Sequence, residues 1–493
     1  MIHLDPHIFR AYDIRGKADS QLTEEVCELI GKAFGAVLIE KYGKEHPSPS
    51  VVVGRDARTH SPRFEAALIK GLVSAGCSVR KMGATPSPLN YFTICHQKLD
   101  AGVQITASHN PKEDNGIKLQ IRDAEAFSGE DLQKLRERIE KASSFKLQAS
   151  SQKCGSAEDI DAVTPYLEFL EKTFKGVGQG LKIVVDSGNG IAGPVYCEAL
   201  RRVGAIVSGL YTDPDGSFPN HPADPSRHAT LRDLQEKVRS EKADMGFGFD
   251  GDGDRVGLVD ERGSIVTADQ TLLLLARDHL QRYPGAPVIF TVSNSSLLLT
   301  EVKKWGGRPV MCKVGHSFVE HAMREEKALL GGEQSGHFFC GEEYYGFDDA
   351  LVAALRILSI LQALTLTQTL RRGGVRVGVG VGGGEGGGSK LSVCINQFPK
   401  VYQSPERRPH CPDDRKADVV SRVTGYFQKK YPVDTLDGAR IDFGDGAWAG
   451  VRFSNTSPCL SVCIEARSQE KLKEVEVEVL GHLRTYREVE LKS

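Results

Sequence analysis

Surplus charge is what this chain most plainly lacks. Its 63 lysines and arginines are matched by 65 aspartates and glutamates, for a net charge of -2. Without a basic surplus there is no electrostatic footprint for a nucleic-acid partner. No uninterrupted apolar run approaches the ~20 residues a membrane-crossing helix needs, so no membrane association is expected. The opening Met1-Ile2-His3-Leu4-Asp5-Pro6 has no basic stretch followed by an apolar one, and no secretory signal is read there. The eleven cysteines are odd in number and include no Cys-x-x-Cys pair. That pattern predicts reduced, packed thiols in a cytoplasmic protein.

What is present is ordinary for a globular protein: 40% apolar and 26% charged residues. At 493 residues the chain exceeds what one hydrophobic core serves, and three or four domains are expected. The segment Phe9-Arg10-Ala11-Tyr12-Asp13-Ile14-Arg15-Gly16 sets two arginines and a tyrosine beside a glycine turn, suited to holding a phosphate or to fixing a loop. Residues 22–41 read as an amphipathic helix. Ser50 to Val53 reads as a strand, and Phe64, Leu68 and Leu72 fall on one face of the helix that follows. With a strand starting at Cys77 this makes a βαβ unit, hence a parallel pair. A helix over 129–141 and a polar linker over 142–157 close the first block. The same grammar of strand, polar turn and helix returns at Leu181–Val185 with a helix at 191–203, and again at Val288–Val292 with a helix near 295–304. Residues 373–388 are mostly glycine and predict a flexible insertion or linker. The block 389–493 reads as α+β, with helices at 416–429 and 468–485 and strands near 450–453 and 460–465.

Four polar stretches carry candidate chemistry. Thr106-Ala107-Ser108-His109-Asn110-Pro111 follows the apolar run Ala101–Ile105 and exposes a serine on a turn at the end of a buried strand. A lone hydroxyl is a weak nucleophile and needs a base, a metal or a pre-attached group. Asp250-Gly251-Asp252-Gly253-Asp254-Arg255 sets three carboxylates at alternate positions, able to converge on one hard cation such as Mg²⁺. A calcium EF-hand is excluded, because Arg255 stands where its glycine is required and Val256–Val259 reads as a strand. Gly331-Gly332-Glu333-Gln334-Ser335-Gly336-His337 suits the hydroxyls of a sugar, with a plain turn as the competing reading. Arg452-Phe453-Ser454-Asn455-Thr456-Ser457-Pro458 suits an anion clamp, again against a structural turn.

These four motifs, in this order, resemble those of the α-D-phosphohexomutases, and within them the phosphomannomutase/phosphoglucomutase group. The resemblance covers nearly the whole chain. It implies three tandem related α/β domains and a smaller C-terminal α+β, TBP-like domain around a central cleft. The expected boundaries are 1–150 for the phosphoserine loop, 151–258 for the metal loop, 259–372 for the sugar loop, 373–388 for the insertion and 389–493 for the phosphate-binding domain.

The same resemblance implies an enzyme that interconverts hexose 1-phosphate and hexose 6-phosphate, of mannose and/or glucose, through a phosphoserine and a bisphosphorylated sugar. Ser108 would carry the phosphoryl group. Asp250, Asp252 and Asp254, with that phosphate, would hold Mg²⁺, and Arg255 would touch the moving group. Lys118 matches a lysine proposed as general acid/base, while His109 and His316 match further active-site positions. Tyr12 and Arg15 match the N-terminal substrate segment. Glu333, Ser335 and His337 match the sugar readers, and Arg452, Ser454, Asn455 and Thr456 the phosphate clamp. Glucose 1,6-bisphosphate or an equivalent would activate the enzyme, hexose phosphates would be its partners, and it would work as a monomer or weak dimer. A phosphoglucosamine mutase and a catalytically inactive sugar-phosphate-binding homologue are the alternatives. Ser457 departs from a frequent glutamate and Ser293 from a frequent lysine, which removes one cationic contact.

Overall fold

A computed structural model describes residues 4–144, 155–372, 390–454 and 457–491. The chain divides into two compact units, Met1–Thr271 with Ser335–Ile395, and Leu272–Gln334 with Asn396–Ser493.

The first unit begins with β1 (Ile14–Lys17), α1 (Glu24–Tyr42), β2 (Ser50–Arg55), α2 (Ser61–Ala75), β3 (Ser78–Ala84), α3 (Ser87–Gln97), β4 (Ala101–Ile105), β5 (Asp114–Ile121), α4 (Gly129–Ser144) and β6 (Ser156–Asp159). The six strands form one sheet in the order β1-β5-β4-β2-β3-β6. β2, β3, β4 and β6 run parallel, whereas β5 is antiparallel to both its neighbours, β4 and β1. The reason lies in connection length. The loop from β4 to β5 is too short for a parallel crossover, so the chain doubles back, and that loop carries Ser108. The expected unit β2-α2-β3 is present, and Phe64, Leu68 and Leu72 are fully buried. The stretch expected as a linker over 142–157 is structured at both described ends: α4 runs to Ser144 and β6 starts at Ser156. All four β6 residues are exposed, so no apolar alternation marks it; backbone pairing with β3 makes it a strand.

Next come α5 (Val163–Thr173), β7 (Lys182–Asp186), α6 (Gly193–Arg202), β8 (Ile206–Leu210), α7 (Arg232–Glu241), β9 (Met245–Phe249), β10 (Val256–Asp260) and β11 (Ile265–Val266), with strand order β11-β10-β9-β7-β8. β7 is parallel to β8 and β9, and β10 returns antiparallel beside β9. The turn between β9 and β10 is Asp250–Arg255. Both chemical loops of this unit thus sit where a buried strand hands over to an antiparallel neighbour. The second sheet extends past residue 258, through β10 and β11.

α8 (Ala268–Arg282) leads to β12 (Pro287–Thr291), α9 (Ser296–Lys304), β13 (Arg308–Cys312), α10 (His316–Glu326) and β14 (Leu330–Gly332). These strands are parallel in the order β13-β12-β14. β15 (Phe338–Cys340), α11 (Ala350–Arg372) and α12 (Leu391–Ile395) return to the first unit. The glycine-rich stretch 373–388 lies outside the described residues. The last block holds β16 (Tyr402–Gln403), α13 (Lys416–Phe427), β17 (Val433–Asp434), β18 (Ala439–Asp442), β19 (Trp448–Phe453), β20 (Leu460–Ala466) and α14 (Gln469–Leu483). Its sheet is antiparallel, β16-β20-β19-β18-β17, over a core that includes Val419, Phe427, Ile441, Val451, Val462 and Leu483. Three α/β layers and a C-terminal α+β domain are the architecture expected from the sequence pattern. Among the described residues no helix is long and apolar enough to cross a membrane.

Candidate active site

β4 is buried along its whole length, and its end projects a fixed turn. Within that turn Ser108 takes φ +51°, a left-handed conformation unusual for a residue with a side chain. Local bonds hold it there. The Ser108 amide donates to Thr106 Oγ1 at 2.9 Å, and Thr106 Oγ1 donates to Asp56 at 2.8 Å. The fully buried Arg58 laces the turn from behind. Its guanidinium donates to the carbonyls of Ser108, Asn110, Pro111 and Asp114, and its Nε donates to Asp56 at 3.0 Å. Arg15 adds bonds to Ala107 O at 3.1 Å and Asn110 Oδ1 at 2.9 Å. Sequence reading missed Arg58. The available signal was the polar run Arg55-Asp56-Ala57-Arg58 at the carboxyl end of a parallel strand, where such sheets place their ligands.

The Ser108 hydroxyl donates to Asp250 Oδ2 at 2.8 Å and lies 3.1 Å from His109 Nδ1. The two loops meet closely because residue 251 is glycine: a Cβ there would fall 2.4 Å from the Ser108 carbonyl oxygen. Asp250, Asp252 and Asp254 are fully buried, and one oxygen of each lies within 4.8 Å of the others. Asp250 Oδ1 accepts the amides of Gly253, Asp254 and Arg255 at 3.0–3.1 Å. Lys118, on β5, reaches in to donate to Asp252 Oδ2 at 2.7 Å and to Asp254 Oδ2. Arg255 Nε lies 3.3 Å from His337 Nε2 and 3.9 Å from Asp250. His337 Nδ1 is 2.9 Å from Ser335 Oγ, and its Nε2 is 3.3 Å from Asp254 and 3.8 Å from Asp348.

Burial and like charge push the Asp250 carboxyl well up, through desolvation first and then Asp254 and Asp252. Burial acts the same way on Asp254, yet Lys118 and His337 outweigh it and hold the group well below the carboxylate range. Burial also disfavours the Lys118 ammonium, but Asp252 and Asp254 overcome it and raise the group well above an ordinary lysine. His109 is driven well down by burial and then by Arg255 and Arg15, so it stands neutral.

The donor set fits a hard divalent cation. Three carboxylates converge from a glycine-spaced loop, and Asp252 Oδ1 is buried without a hydrogen-bond partner among the described residues. An all-oxygen site of this charge suits Mg²⁺.

The first unit thus gathers Arg15, Ser108, His109, Lys118, the three aspartates, Arg255, Ser335 and His337. Tyr12, three residues before Arg15, is half-buried. The second unit holds the other expected residues. Glu333, just past β14, is buried and accepts the Gly315 amide at 2.8 Å, beside His316 at the start of α10. Arg452 lies on β19, and the buried Ser454 follows it. Arg408 donates to Ser454 Oγ at 3.2 Å, while Lys416 Nζ reaches Ser454 O at 2.7 Å and Ser457 O at 3.5 Å. Neither cation was anticipated from sequence, because both lie far from the motif along the chain. Asn455 and Thr456 lie outside the described residues. Ser293 lines a small cavity with Arg440, Arg452, Ser461 and Cys463. Arg440 Nη1 is bonded to the carbonyls of Val292 and Asn294, on either side of Ser293.

Four family domains match in order: phosphoglucomutase/phosphomannomutase alpha/beta/alpha domain I at residues 6–146, domain II at 164–263, domain III at 267–372 and the C-terminal domain at 408–482. The chain belongs to the phosphoglucomutase/phosphomannomutase family. It is 37% identical over 473 residues to a phosphomannomutase/phosphoglucomutase of Pseudomonas aeruginosa, covering 96% of this chain and 94% of that protein. It is 33% identical to a phosphoglucomutase of Neisseria meningitidis, covering 97% and 96%. The crystal structure of a phosphoglucomutase/phosphomannomutase family protein from Burkholderia thailandensis superposes with TM-score 0.84 at 33% identity, covering 98% of each chain.

Proposed function

We propose that this enzyme interconverts the 1- and 6-phosphates of glucose and mannose, with Ser108 as the phosphoryl carrier. Intramolecular phosphoryl transfer on hexose phosphates is the activity of its family. The observation that carries the residue assignment is the 2.8 Å bond from Ser108 Oγ to Asp250, which ties the serine turn to the carboxylate loop. In the forward half-reaction the bond between phosphorus and Ser108 Oγ breaks and one to the sugar O6 forms; the O6 hydroxyl gives up its proton and Ser108 Oγ gains one, giving a hexose 1,6-bisphosphate. In the second half the O1 phosphoryl group returns to Ser108. Asp250, Asp252 and Asp254 would hold Mg²⁺, which supplies positive charge beside the moving phosphoryl group. Arg255 adds a second positive charge from the protein.

Lys118, held protonated between two carboxylates, is placed to neutralise charge and to donate a proton rather than take one. His109, neutral beside Ser108 Oγ, is suited to accept one. Glu333, Ser335 and His337 read the sugar, Tyr12, Arg15 and His316 complete its contacts, and Arg452, Ser454, Asn455 and Thr456 grip the distal phosphate. Arg408 and Lys416 brace that loop. A hexose 1,6-bisphosphate would charge an empty Ser108, and the enzyme would act as a monomer or weak dimer.

A coupled assay with glucose 1-phosphate and Mg²⁺, paired with intact-mass measurement, tests this. Wild type is expected to turn over and to carry a single phosphate in part of the molecules; Ser108→Ala is expected to lose both. Near wild-type turnover by the alanine variant would refute the covalent route.

A further inference from the structure

Asp252 is held differently from its two partners in the carboxylate loop. Asp250 takes its support from backbone amides of its own loop, and Asp254 from Lys118. Asp252 is tied from another layer, by the first residue of α3. The Ser87 hydroxyl donates to Asp252 Oδ2 at 2.6 Å, and the Ser87 amide donates to Asp252 O at 2.9 Å. Both residues are fully buried, so water offers no replacement. Lys118 takes the same carboxylate oxygen from the β5 side at 2.7 Å. Two donors on Oδ2 fix the plane of the carboxylate and leave Oδ1 buried without a partner among the described residues. The amide is one of the four that the first turn of a helix leaves unbonded, and the positive end of α3 favours the carboxylate charge.

We infer that Ser87 is a positioning residue for the cation: through Asp252 it sets the carboxylate oxygen presented to the metal and couples α3 to the catalytic loop. The inference rests on the cation site proposed above. Lys118 alone would leave Asp252 free to turn about its side-chain torsion, because an ammonium donates in any of three directions. The hydroxyl, anchored by the amide bond of the same residue, removes that freedom. Partners that orient a metal ligand in this way typically change affinity by about 10–100-fold when lost.

The test is direct metal binding, with Mn²⁺ titrated into the full chain, free ion read by electron paramagnetic resonance, and Mg²⁺ added in competition. Ser87→Ala is expected to raise the Mn²⁺ Kd by about tenfold or more. Ser87→Thr, which keeps the hydroxyl, is expected to stay near wild type. Ser87→Gly removes the hydroxyl without adding bulk and is expected to weaken Mn²⁺ binding as the alanine variant does; it carries the comparison if the alanine variant does not fold. Equal Kd values for wild type and the folded variants that lack the hydroxyl overturn the inference alone. A wild-type protein that takes up no Mn²⁺ overturns the cation site and this inference with it.

Discussion

Asp252 and Lys118 show how much of the site is electrostatics set by single residues. Lys118 has 3% of its side chain exposed and Asp252 none, so each is costly to bury unless the other is there. Asp252→Asn keeps the shape and removes one negative charge. It is expected to raise the Mg²⁺ concentration needed for half-maximal turnover by about tenfold or more, read from a metal titration of initial rates. An unchanged Mg²⁺ dependence would remove Asp252 from the cation site. His221 gives a pH prediction away from the reacting atoms. Burial lowers its pKa, but its hydrogen bond to Asp186 at 3.1 Å and the charge of that carboxylate outweigh this, and the group ends above 6.5. A raised folded value means stability that is fully present below about pH 6.5 and lost as pH rises through the folded pKa. Melting temperature is therefore expected to fall more steeply in that window for wild type than for His221→Asn; parallel profiles would count against the pair. At this scale the sequence showed the candidate residues, because Ser108, the three aspartates and Glu333 stand in compact motifs, and Ser108 and the aspartates meet in the fold. It concealed those that act through another residue. Arg58, Ser87, Arg408 and Lys416 are distant in sequence from what they brace, and of the four only Arg58 stands in a local pattern, the polar run at the end of β2.

Elements were legible where apolar periodicity is strong. The spacing of Phe64, Leu68 and Leu72 and the alternations of the two terminal strands lie where helix and strands form. β6 was not legible, since its four residues are exposed and only pairing makes it a strand. The antiparallel turn-back at β5 and β10 was equally hidden, because side-chain pattern does not encode strand direction. The contact between α1 and α2 depends on two glycines. A Cβ at Gly31 would fall 2.2 Å from Leu68 O, and one at Gly71 2.2 Å from Glu28 O. Backbone on both sides cannot yield without parting the helices. Gly71→Ala gains about 1 kcal/mol of helix propensity, yet the forced separation costs about 1–3 kcal/mol. We expect net destabilisation, seen as a lower denaturation midpoint. Gly481 in α14 is the control, exposed with open space around it. Gly481→Ala should stabilise by up to about 1 kcal/mol. If both substitutions shift stability in the same direction, the close-approach argument fails.

At the scale of the whole molecule, three layers of similar grammar and an α+β end domain were legible because strand, polar turn and helix recur along the chain. The consequence for function is sugar choice. A mutase must accept its bisphosphate in two orientations, with C1 or C6 toward the phosphoryl carrier, proposed above to be Ser108. Turning the sugar end for end roughly exchanges the places of the 3- and 4-hydroxyls, so a reader of those two hydroxyls serves both orientations. Glu333 is a buried carboxylate fixed by the Gly315 amide, and the Ser335 hydroxyl two residues later lies 2.9 Å from His337 Nδ1; this is the reader proposed above. Glucose and mannose share their configuration at C3 and C4 and differ at C2, on which such a reader has little leverage. We therefore expect glucose 1-phosphate and mannose 1-phosphate to be turned over within roughly tenfold in kcat/KM, about 1.4 kcal/mol of discrimination. Galactose 1-phosphate, inverted at C4, leaves a buried polar group unpaired and should lose about 1–3 kcal/mol of transition-state binding. Glu333→Ala should impair both good substrates alike. Parallel kinetics on the three sugars decide the matter: strong rejection of either glucose or mannose phosphate would place the discriminating contact at C2, outside the Glu333–Ser335 loop.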